Sequence, residues 1–398
     1  MFLVIGSPNL NNTYKSKFFN PLMPTMSFSH KIKLLSYFVR EGRFREIYNM
    51  FWVYPLWWNR KTAAFILNKF LPKLGIDLFP PFLEIEPTTI CNFRCVCCEH
   101  TYWKEPSKNM SFEQFKKIFD DFGKPKWLGL TGIGSSYLNK DYPKMLAYAK
   151  SKGTIIEVFD HFAHFKDDNQ IKELIKIGPD FQFISMYGAS KNSFEKVCVG
   201  SNYDIIEKNI KKFVKFKKQL KTKFPILNFH YIITSESKNE ILQFLDFVHS
   251  LKTEVGEILV TPMLHSFKEA EKFAVSIDEE YVNNVKKRAE KYKIPITINM
   301  SAKQEAEGLE KKPPINDCKE LIMPFIFVEG DVTPCCGQNE GNQRGWQHKT
   351  SLGNALKKQF RDIWYSPKYI KMRKLIRENK VPLECINCPA YEVTCLKK

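Results

Sequence analysis

Residues 82–103 read FLEIEPTTICNFRCVCCEHTYW, and this stretch decides how the rest of the chain is interpreted. Its apolar start predicts a strand at 82–86, and a polar turn then leads to Cys91, Cys95 and Cys98 with the spacing CxxxCxxC. Three thiolates on one loop can hold three corners of a four-iron cluster and leave the fourth iron open to a small ligand. A closed electron-transfer cluster or a structural zinc site takes four protein ligands instead.

Zinc stays open as the alternative for this loop, because CxxxCxxC fixes only three ligand positions. The strand directly before the loop favours the cluster, as do Phe93 and Trp103, whose rings can wall a water-poor pocket. Cys97 breaks the spacing. We expect it to be a buried bystander, with substitution as a ligand as the other possibility.

The composition indicates a large globular protein with metal-binding cysteines. The chain has 398 residues, 43% of them hydrophobic, which suffices for two domains. Ten of the 11 cysteines fall within 91–98 or 318–395, as is typical of metal ligands rather than of a secreted disulfide framework. We find no secretory signal and no apolar run of roughly 18 residues, the length that a membrane span needs. These features predict a cytoplasmic protein.

The net charge of +18 predicts acidic partners in general, since nucleic acid, anionic lipid and an acidic peptide would all suit it. No nucleic-acid-binding module is recognisable, so nucleic acid is not expected. We assign most of the excess charge to solvent-exposed helix faces. The lysines assigned in this way include Lys211, Lys212, Lys215, Lys217 and Lys218.

The first 80 residues predict an irregular arm followed by a helical extension. Residues 1–26 show no periodicity, whereas residues 27–70 are helical in pattern and rich in aromatic and basic residues, among them Trp52 and Trp58. We expect these helices to pack on the following domain. A membrane-surface segment is the alternative, because basic and aromatic residues along a helix are also typical of that location.

Residues 81–300 predict an α/β domain with six strand–helix units in alternation. Such a pattern is typical of a parallel sheet with right-handed crossovers, here curled into a partial (β/α)6 barrel. Capping boxes at Ser111–Gln114 and Ser237–Glu240 predict the starts of two helices. Ligands of such sheets bind at the carboxyl ends of the strands, where Cys91 lies. The predicted strands are 82–86, 127–131, 155–159, 181–186, 226–233 and 257–261.

The strand 127–131 ends in Gly132, Ile133, Gly134 and Ser135. Glycines at a strand end let a ligand approach the backbone, whose peptide groups can bind its polar head. The same pair also suits an ordinary tight turn.

The cysteine loop after the first strand resembles the signature of the radical S-adenosylmethionine (radical SAM) superfamily. The resemblance implies a [4Fe-4S] cluster whose free iron chelates SAM. It further implies that one electron cleaves SAM to a 5′-deoxyadenosyl radical, which takes a hydrogen atom from the substrate. A flavodoxin- or ferredoxin-type donor would supply the electron.

The same resemblance assigns cofactor contacts to residues 132–135, which match the family's GGE or GxGEP segment, although Ser135 stands at the acidic position. The segment ISMYGAS matches the family's strand end at Ser185 and Gly188, whereas Tyr187 stands where Asp is usual. Cys198 stands where the family has an Arg that often holds the cofactor's carboxylate. His230 and residues 261–263 would face the adenosine, or be an ordinary core histidine and strand end.

Residues 301–398 form a second cysteine group, in which the sequence predicts a hairpin at 325–328 and 332–333 and helices at 354–364 and 369–378. This region resembles the SPASM or shortened twitch extension of radical SAM enzymes, with GxxxxC at 330–335 and CxxC at 385–388. Cys336 is the chief rival to Cys335, and Cys395 is a further candidate. The resemblance implies one auxiliary [4Fe-4S] cluster, with structural zinc as the alternative. The expected ligands are Cys318, Cys335, Cys385 and Cys388.

Together these features predict a radical SAM oxidoreductase or maturase that acts on a peptide, a protein or a small molecule. The alternative is an iron–sulfur electron-transfer protein with a degenerate radical SAM site, which the residues at 135, 187 and 198 would fit.

Overall fold

A computed structural model describes residues 28–57, 60–103, 105–262, 269–298, 313–336, 344–386, 388 and 391. Predictions for residues 1–26, Trp58, Met263 and Cys395 fall outside these described residues. The strands, numbered in chain order, are Phe82–Ile85 (β1), Arg94–Cys95 (β2), Trp127–Leu130 (β3), Ile155–Asp160 (β4), Phe181–Met186 (β5), Cys198–Val199 (β6), Ile226–Ile233 (β7), Ile258–Pro262 (β8), Ile296–Ile298 (β9), Phe325–Ile326 (β10) and Val332–Thr333 (β11).

Nine of these strands form one sheet in the described part of the chain, in the order β11-β10-β1-β3-β4-β5-β7-β8-β9. The six predicted barrel strands are neighbours in this order and pair in parallel, which confirms the partial barrel. Strand β9 adds a further parallel strand at one edge. The predicted hairpin β10–β11 is antiparallel, and β10 also pairs in parallel with β1. The C-terminal hairpin therefore extends the barrel sheet.

Helices cover the sheet, which is why central strands such as β7 are buried along their whole length. Between the third and fourth of the helices lies a π-helical turn, Ile66–Phe70. The helices are Phe28–Arg40, Phe44–Trp57, Arg60–Phe65, Leu71–Lys73, Phe112–Phe122, Tyr142–Ser151, Asp168–Ile177, Lys191–Val197, Tyr203–Gln219, Ile241–Ser250, Glu279–Tyr292, Arg344–Thr350, Phe360–Trp364 and Pro367–Arg377.

The N-terminal helices pack on the barrel, as expected. Phe38 is fully buried, and its ring centroid lies 4.7 Å from that of Phe224. Arg43 Nη1 donates to Asp180 Oδ1 over 2.7 Å, and Asn49 Nδ2 donates to the Gly153 carbonyl over 2.9 Å. None of the described helices is long and apolar enough to cross a membrane.

The capping box at Ser111–Gln114 is confirmed, with both reciprocal hydrogen bonds present. The one predicted at Ser237–Glu240 is wrong. Ser237 Oγ accepts from the Thr234 N–H over 3.0 Å, and the Glu240 carboxylate accepts from the Ala189 N–H over 2.7 Å. A bond within the preceding turn therefore takes the Ser237 side chain away from the helix start, and a tertiary partner takes that of Glu240.

Two further expectations are wrong. Lys217 is 8% exposed, and its Nζ donates to the carbonyl of Pro225, just before β7, so it is not on a solvent face. The helix predicted at 354–364 is formed only at Phe360–Trp364. Asn354 explains the shortening, because its amide donates to Asp331 Oδ1 and its oxygen accepts from the Leu356 N–H, which builds a turn instead.

Candidate active site

A cavity of about 270 Å³ lies inside the barrel, between the cysteine loop and residues 323–336 of the C-terminal region. The cysteine loop and the ends of β3 and β5 contribute to its wall, as expected from ligand sites in parallel sheets. The wall contains the three cysteines assigned to the first cluster, and residues 132–135 and Ser185 assigned to its cofactor. They are Cys91, Cys95, Cys98, Gly132, Ile133, Gly134, Ser135 and Ser185.

The cysteine loop is shaped by the protein's own hydrogen bonds. Cys95 lies in β2, which pairs with β6, and its carbonyl accepts from Thr101 Oγ1 over 2.6 Å. His100 Nε2 lies 2.8 Å from the Thr89 carbonyl oxygen. Cys97 is 3% exposed and packs in the core rather than in the cavity wall.

The chemistry of the three thiols fits a metal cluster. Burial raises the pKa of Cys91 to about 11 and that of Cys98 well above its usual value, and the neighbouring Cys95 adds to both increases. Thiols with such pKa values stay protonated at neutral pH unless a metal replaces the proton. Three converging sulfur donors are a set that iron–sulfur clusters accept.

The glycines of residues 132–135, which we call the GIGS segment, are required by protein packing. A Cβ on Gly134 would lie 2.6 Å from the carbonyl oxygens of Thr88 and Ile90, and one on Gly132 would lie 2.4 Å from Glu86 Cγ. The Ser135 N–H also donates to the Ile90 carbonyl over 2.8 Å. The first role of these glycines is thus to let the segment lie against the chain that leads into the cysteine loop.

Asp160, at the end of β4, lines the cavity and was not anticipated from the sequence. Its Oδ2 accepts from Ser135 Oγ over 2.9 Å, and its Oδ1 accepts from the Phe162 N–H over 2.7 Å. Burial alone would raise the pKa of Asp160, but the neighbouring His164 and His161 hold it well below its usual value. A carboxylate therefore stands directly behind Ser135. The signal in the sequence was an acidic residue and two histidines, DHFAH, at a strand end.

The other expected site residues divide between the cavity and the core. Tyr187 and His230 line the cavity, whereas Cys198 is buried beside Cys95 in the β2–β6 pair. His230 Nε2 lies 2.8 Å from Thr261 Oγ1. Burial lowers the pKa of His230 to about 3, so the ring is neutral. Glu84 and Glu157 also line the cavity and were missed.

The four expected auxiliary ligands lie near one another, as their effects on the pKa values of Cys318 and Cys385 indicate. Burial raises the pKa of Cys318 well above its usual value, and Glu320, Cys335, Cys385 and Cys388 each contribute to the increase. Burial likewise raises the pKa of Cys385, with contributions from Cys388 and Cys335. The Cys388 N–H donates to the Cys385 carbonyl over 3.0 Å, which folds the CxxC pair into a turn. This donor set also fits a cluster.

Cys335 and Cys336 are adjacent in sequence but face different surroundings. Cys335 raises the pKa of the thiols of Cys318 and Cys385. Cys336 instead lines the barrel cavity and donates a hydrogen bond to the Glu84 carboxyl group. The dipeptide after β11 therefore joins the second cysteine group to the cavity of the first.

Comparison with known proteins finds two family models that match parts of this chain. Residues 85–248 match the radical SAM superfamily, and residues 318–389 match the SPASM iron–sulfur cluster-binding domain. A protein of Pyrococcus furiosus, described as "Tungsten-containing aldehyde ferredoxin oxidoreductase cofactor-modifying protein", is 25% identical over 325 residues, which cover 77% of this chain and 86% of that protein.

Solved structures share the fold. Streptococcus suis SuiB bound to S-adenosylmethionine superposes with a TM-score of 0.61 at 16% identity, covering 84% of this chain and 80% of that one. SuiB bound to its precursor peptide SuiA gives 0.60 at 17% identity, covering 81% and 76%. The anSMEcpe structure with bound AdoMet gives 0.55 at 15% identity, covering 77% and 86%.

Proposed function

This chain belongs to the radical SAM superfamily and carries a SPASM domain, and we propose that it is a radical SAM enzyme whose substrate is a peptide or protein segment. The cofactors of these domains are a [4Fe-4S] cluster, SAM and auxiliary iron–sulfur clusters. The substrate class is supported by SuiB, which binds a precursor peptide. The P. furiosus relative is described as a cofactor-modifying protein, so a small molecule is the alternative substrate. The single observation that carries the catalytic assignment is that the three cysteines, the GIGS segment and Ser185 border one cavity.

We assign Cys91, Cys95 and Cys98 to the cluster that binds SAM. We assign one auxiliary cluster to Cys318, Cys335, Cys385 and Cys388. The domain limits that we adopt are 1–80 for the arm and helical extension, 81–300 for the barrel and 301–398 for the auxiliary domain.

When bound, the cluster and SAM supply a 5′-deoxyadenosyl radical that removes a hydrogen atom from the substrate. The protein's part is to bind, orient and exclude water. The ring centroid of Phe93 lies 4.0 Å from that of His161, and the ring centroid of Phe159 lies 4.5 Å from that of Phe183. These stacked rings make part of the cavity wall aromatic. His230, in the same wall, is neutral at pH 7 because burial lowers its pKa to about 3, so it does not act as an acid there.

Asp160 supplies the negative charge that Ser135 lacks. Its carboxylate is ionised, lines the cavity and is fixed by the Ser135 hydroxyl, so it is placed to accept from the amino group of SAM. Asp160→Asn should therefore weaken SAM binding by about tenfold, the cost of replacing a charge-assisted hydrogen bond by a neutral one. Equilibrium dialysis of SAM against the reconstituted protein measures this without turnover, and unchanged binding would contradict the role.

The test of the catalytic assignment uses anaerobically reconstituted protein with dithionite and SAM. Wild type should release 5′-deoxyadenosine, and the triple variant C91A/C95A/C98A should release none and lose about four iron atoms per chain. C97A is the matched control and should keep both iron and activity. A wild-type protein that holds the cluster but forms no 5′-deoxyadenosine would instead support an electron-transfer protein.

Cys336 provides the control for the assignment of Cys335 as an auxiliary ligand, because Cys336 lines the barrel cavity whereas Cys335 lies near Cys318. C335A should lose the auxiliary iron, while C336A should keep it. Iron loss in C336A alone would reverse the assignment. Zinc in place of iron after anaerobic purification would show a structural zinc site.

The electron donor that we propose is a reduced flavodoxin or ferredoxin. A peripheral membrane contact of the helical extension is supported by exposed aromatic side chains on the helix Phe44–Trp57, such as Phe51 at 68% exposure. Cosedimentation with anionic vesicles tests this contact, and F51S/W52S should reduce it. No binding by wild type would leave that helix as a packing element only.

A further inference from the structure

Two acidic side chains stand opposite each other across a glycine inside the barrel. Glu84 of β1, Gly129 of β3 and Glu157 of β4 are partners in register, so they form one row across three adjacent strands. Residues of one row share a face of the sheet, and all three line the cavity. Gly129 contributes no side chain, and a Cβ there would lie 3.1 Å from Glu84 Cγ. The Glu84 side chain therefore leans over Gly129 toward the strand of Glu157. We call the space over Gly129, with a carboxyl group on each side, the slot.

Among the residues that the structure describes, neither carboxyl group has a positively charged partner. Glu157 Oε2 accepts from Trp127 Nε1 over 3.2 Å, and Glu84 accepts from the Cys336 thiol. Among the described residues that line the cavity there is no lysine or arginine. Burial raises the pKa of Glu84 to about 7 and that of Glu157 well above its usual value, with Glu84 adding to the latter.

Burying two carboxyl groups side by side is unfavourable unless something compensates for it. Uncharged polar or apolar side chains would fill the same space at lower cost. A cation placed between the two groups would restore both negative charges and form charge-assisted hydrogen bonds with them. Aromatic rings border the same space, including Trp127 and Phe325, and rings of this kind stabilise a cation further.

We infer that the slot formed by Glu84, Gly129 and Glu157 binds a guanidinium or ammonium group of the substrate. This inference rests on the proposed function for the identity of the ligand as a substrate. The planar guanidinium suits the slot best, because it donates along two edges to two carboxylates while its face meets an aromatic ring. A substrate segment with an arginine or lysine side chain would thereby be held in the cavity that the cysteine loop borders.

Binding of a simple probe tests the slot without any turnover. Calorimetric titration of the cluster-loaded protein with n-butylguanidinium is compared with titration by n-butylurea, which has nearly the same shape and no charge. We expect the guanidinium to bind at least about tenfold more tightly, in keeping with charge-assisted bonds to two carboxylates. Equal affinities, or a preference for the urea, would overturn the inference and indicate that the acids remain protonated.

Three variants locate the effect. E84Q/E157Q keeps the shape of both side chains and should remove the preference for guanidinium, whereas E279Q, an exposed glutamate on the helix Glu279–Tyr292, should not change it. G129A keeps both carboxyl groups but narrows the slot and should weaken guanidinium binding. A preference that survives in E84Q/E157Q would place the cation elsewhere. If that variant does not fold, the comparison of the two probes on wild type and G129A decides.

The outcome is separable from that of the proposed function. The titrations contain no reductant, so a protein that forms no 5′-deoxyadenosine can still show the guanidinium preference. Conversely, a protein that cleaves SAM but binds both probes equally would retain the proposed function and lose the slot.

Discussion

At the scale of single residues, one arginine joins the C-terminal region to the barrel. Arg344 donates to both oxygens of Glu86 over 3.0 and 2.7 Å, and its guanidinium lies 4.5 Å from the ring centres of both Trp103 and Phe327. Glu86 is fully buried and also accepts from the Ile133 N–H, which belongs to the GIGS segment. The Arg344–Glu86 ion pair thus helps to hold the GIGS segment in place.

Arg344→Ala should destabilise the fold by about 3–5 kcal/mol, because it leaves the Glu86 carboxylate buried without its cation. Denaturant unfolding measures the loss. In a double-mutant cycle, Glu86→Ala combined with Arg344→Ala should cost less than the sum of the single variants. Additive effects would show that the two side chains do not depend on each other.

Lys217 predicts a pH dependence of stability. Burial lowers its pKa to about 7, and the nearby Lys223 adds to this, whereas the unfolded chain has the ordinary value of 10.5. Between these values the unfolded state binds more protons, so this residue makes stability rise as pH increases from about 7 to about 10.5. Lys217→Met removes the titrating group.

The stability difference between K217M and wild type should accordingly favour the variant at pH 7 and shrink as the pH approaches 10. Urea unfolding at several pH values measures this difference, in which the contributions of all other groups cancel. A difference that is constant over this range would show that the ammonium is accommodated in the folded state.

At the scale of elements, the two SxxE/Q sequences show where local patterns are reliable. Ser111→Ala should cost about 1 kcal/mol, since it removes the hydrogen bond to the Gln114 N–H at a helix start. Glu240→Ala should cost more, because the Glu240 carboxylate accepts from Ala189, Ser190 and Ser193, which lie beyond the end of β5. Thermal or denaturant unfolding of both variants compares the two, and an equal loss would contradict the tertiary role of Glu240.

The sequence determined much of the fold because the strands are apolar runs bounded by glycines and by helix caps, and these are local signals. It also singled out Cys91, Cys95 and Cys98 by their spacing and residues 132–135 by their glycines at a strand end, and these residues line one cavity. Glu84 and Glu157 were missed, since they look like ordinary strand residues and gain meaning only from strand register. Asp160 was missed although the segment DHFAH at a strand end marked it, because its contact with Ser135 joins two different strand ends. Lys217 was misplaced because a lysine on a helix gives no local sign that it will face a strand.

At the scale of the whole molecule, the barrel and the auxiliary region share one sheet. Glu84 N–H donates to the Pro324 carbonyl over 3.0 Å, and Glu86 N–H donates to the Ile326 carbonyl over 2.9 Å. The first strand of the barrel therefore has β3 on one side and the C-terminal hairpin on the other. Neither region is expected to unfold without disturbing the other.

Gly330 tests this coupling, because it forms the turn of that hairpin with φ +88°, and an added Cβ would lie 2.7 Å from Leu356 Cγ. Gly330→Ala should cost about 2 kcal/mol or more, from the left-handed backbone and the clash together. Gly42→Ala is the matched control, since Gly42 has φ +67° with no atom within 4 Å of the added Cβ, and should cost about 1 kcal/mol. Because the hairpin belongs to the barrel sheet, far-ultraviolet circular dichroism and tryptophan fluorescence of G330A should report one coincident transition at lower denaturant. Two separate transitions would show that the hairpin unfolds from an intact barrel, and that the shared sheet does not couple the two cysteine groups.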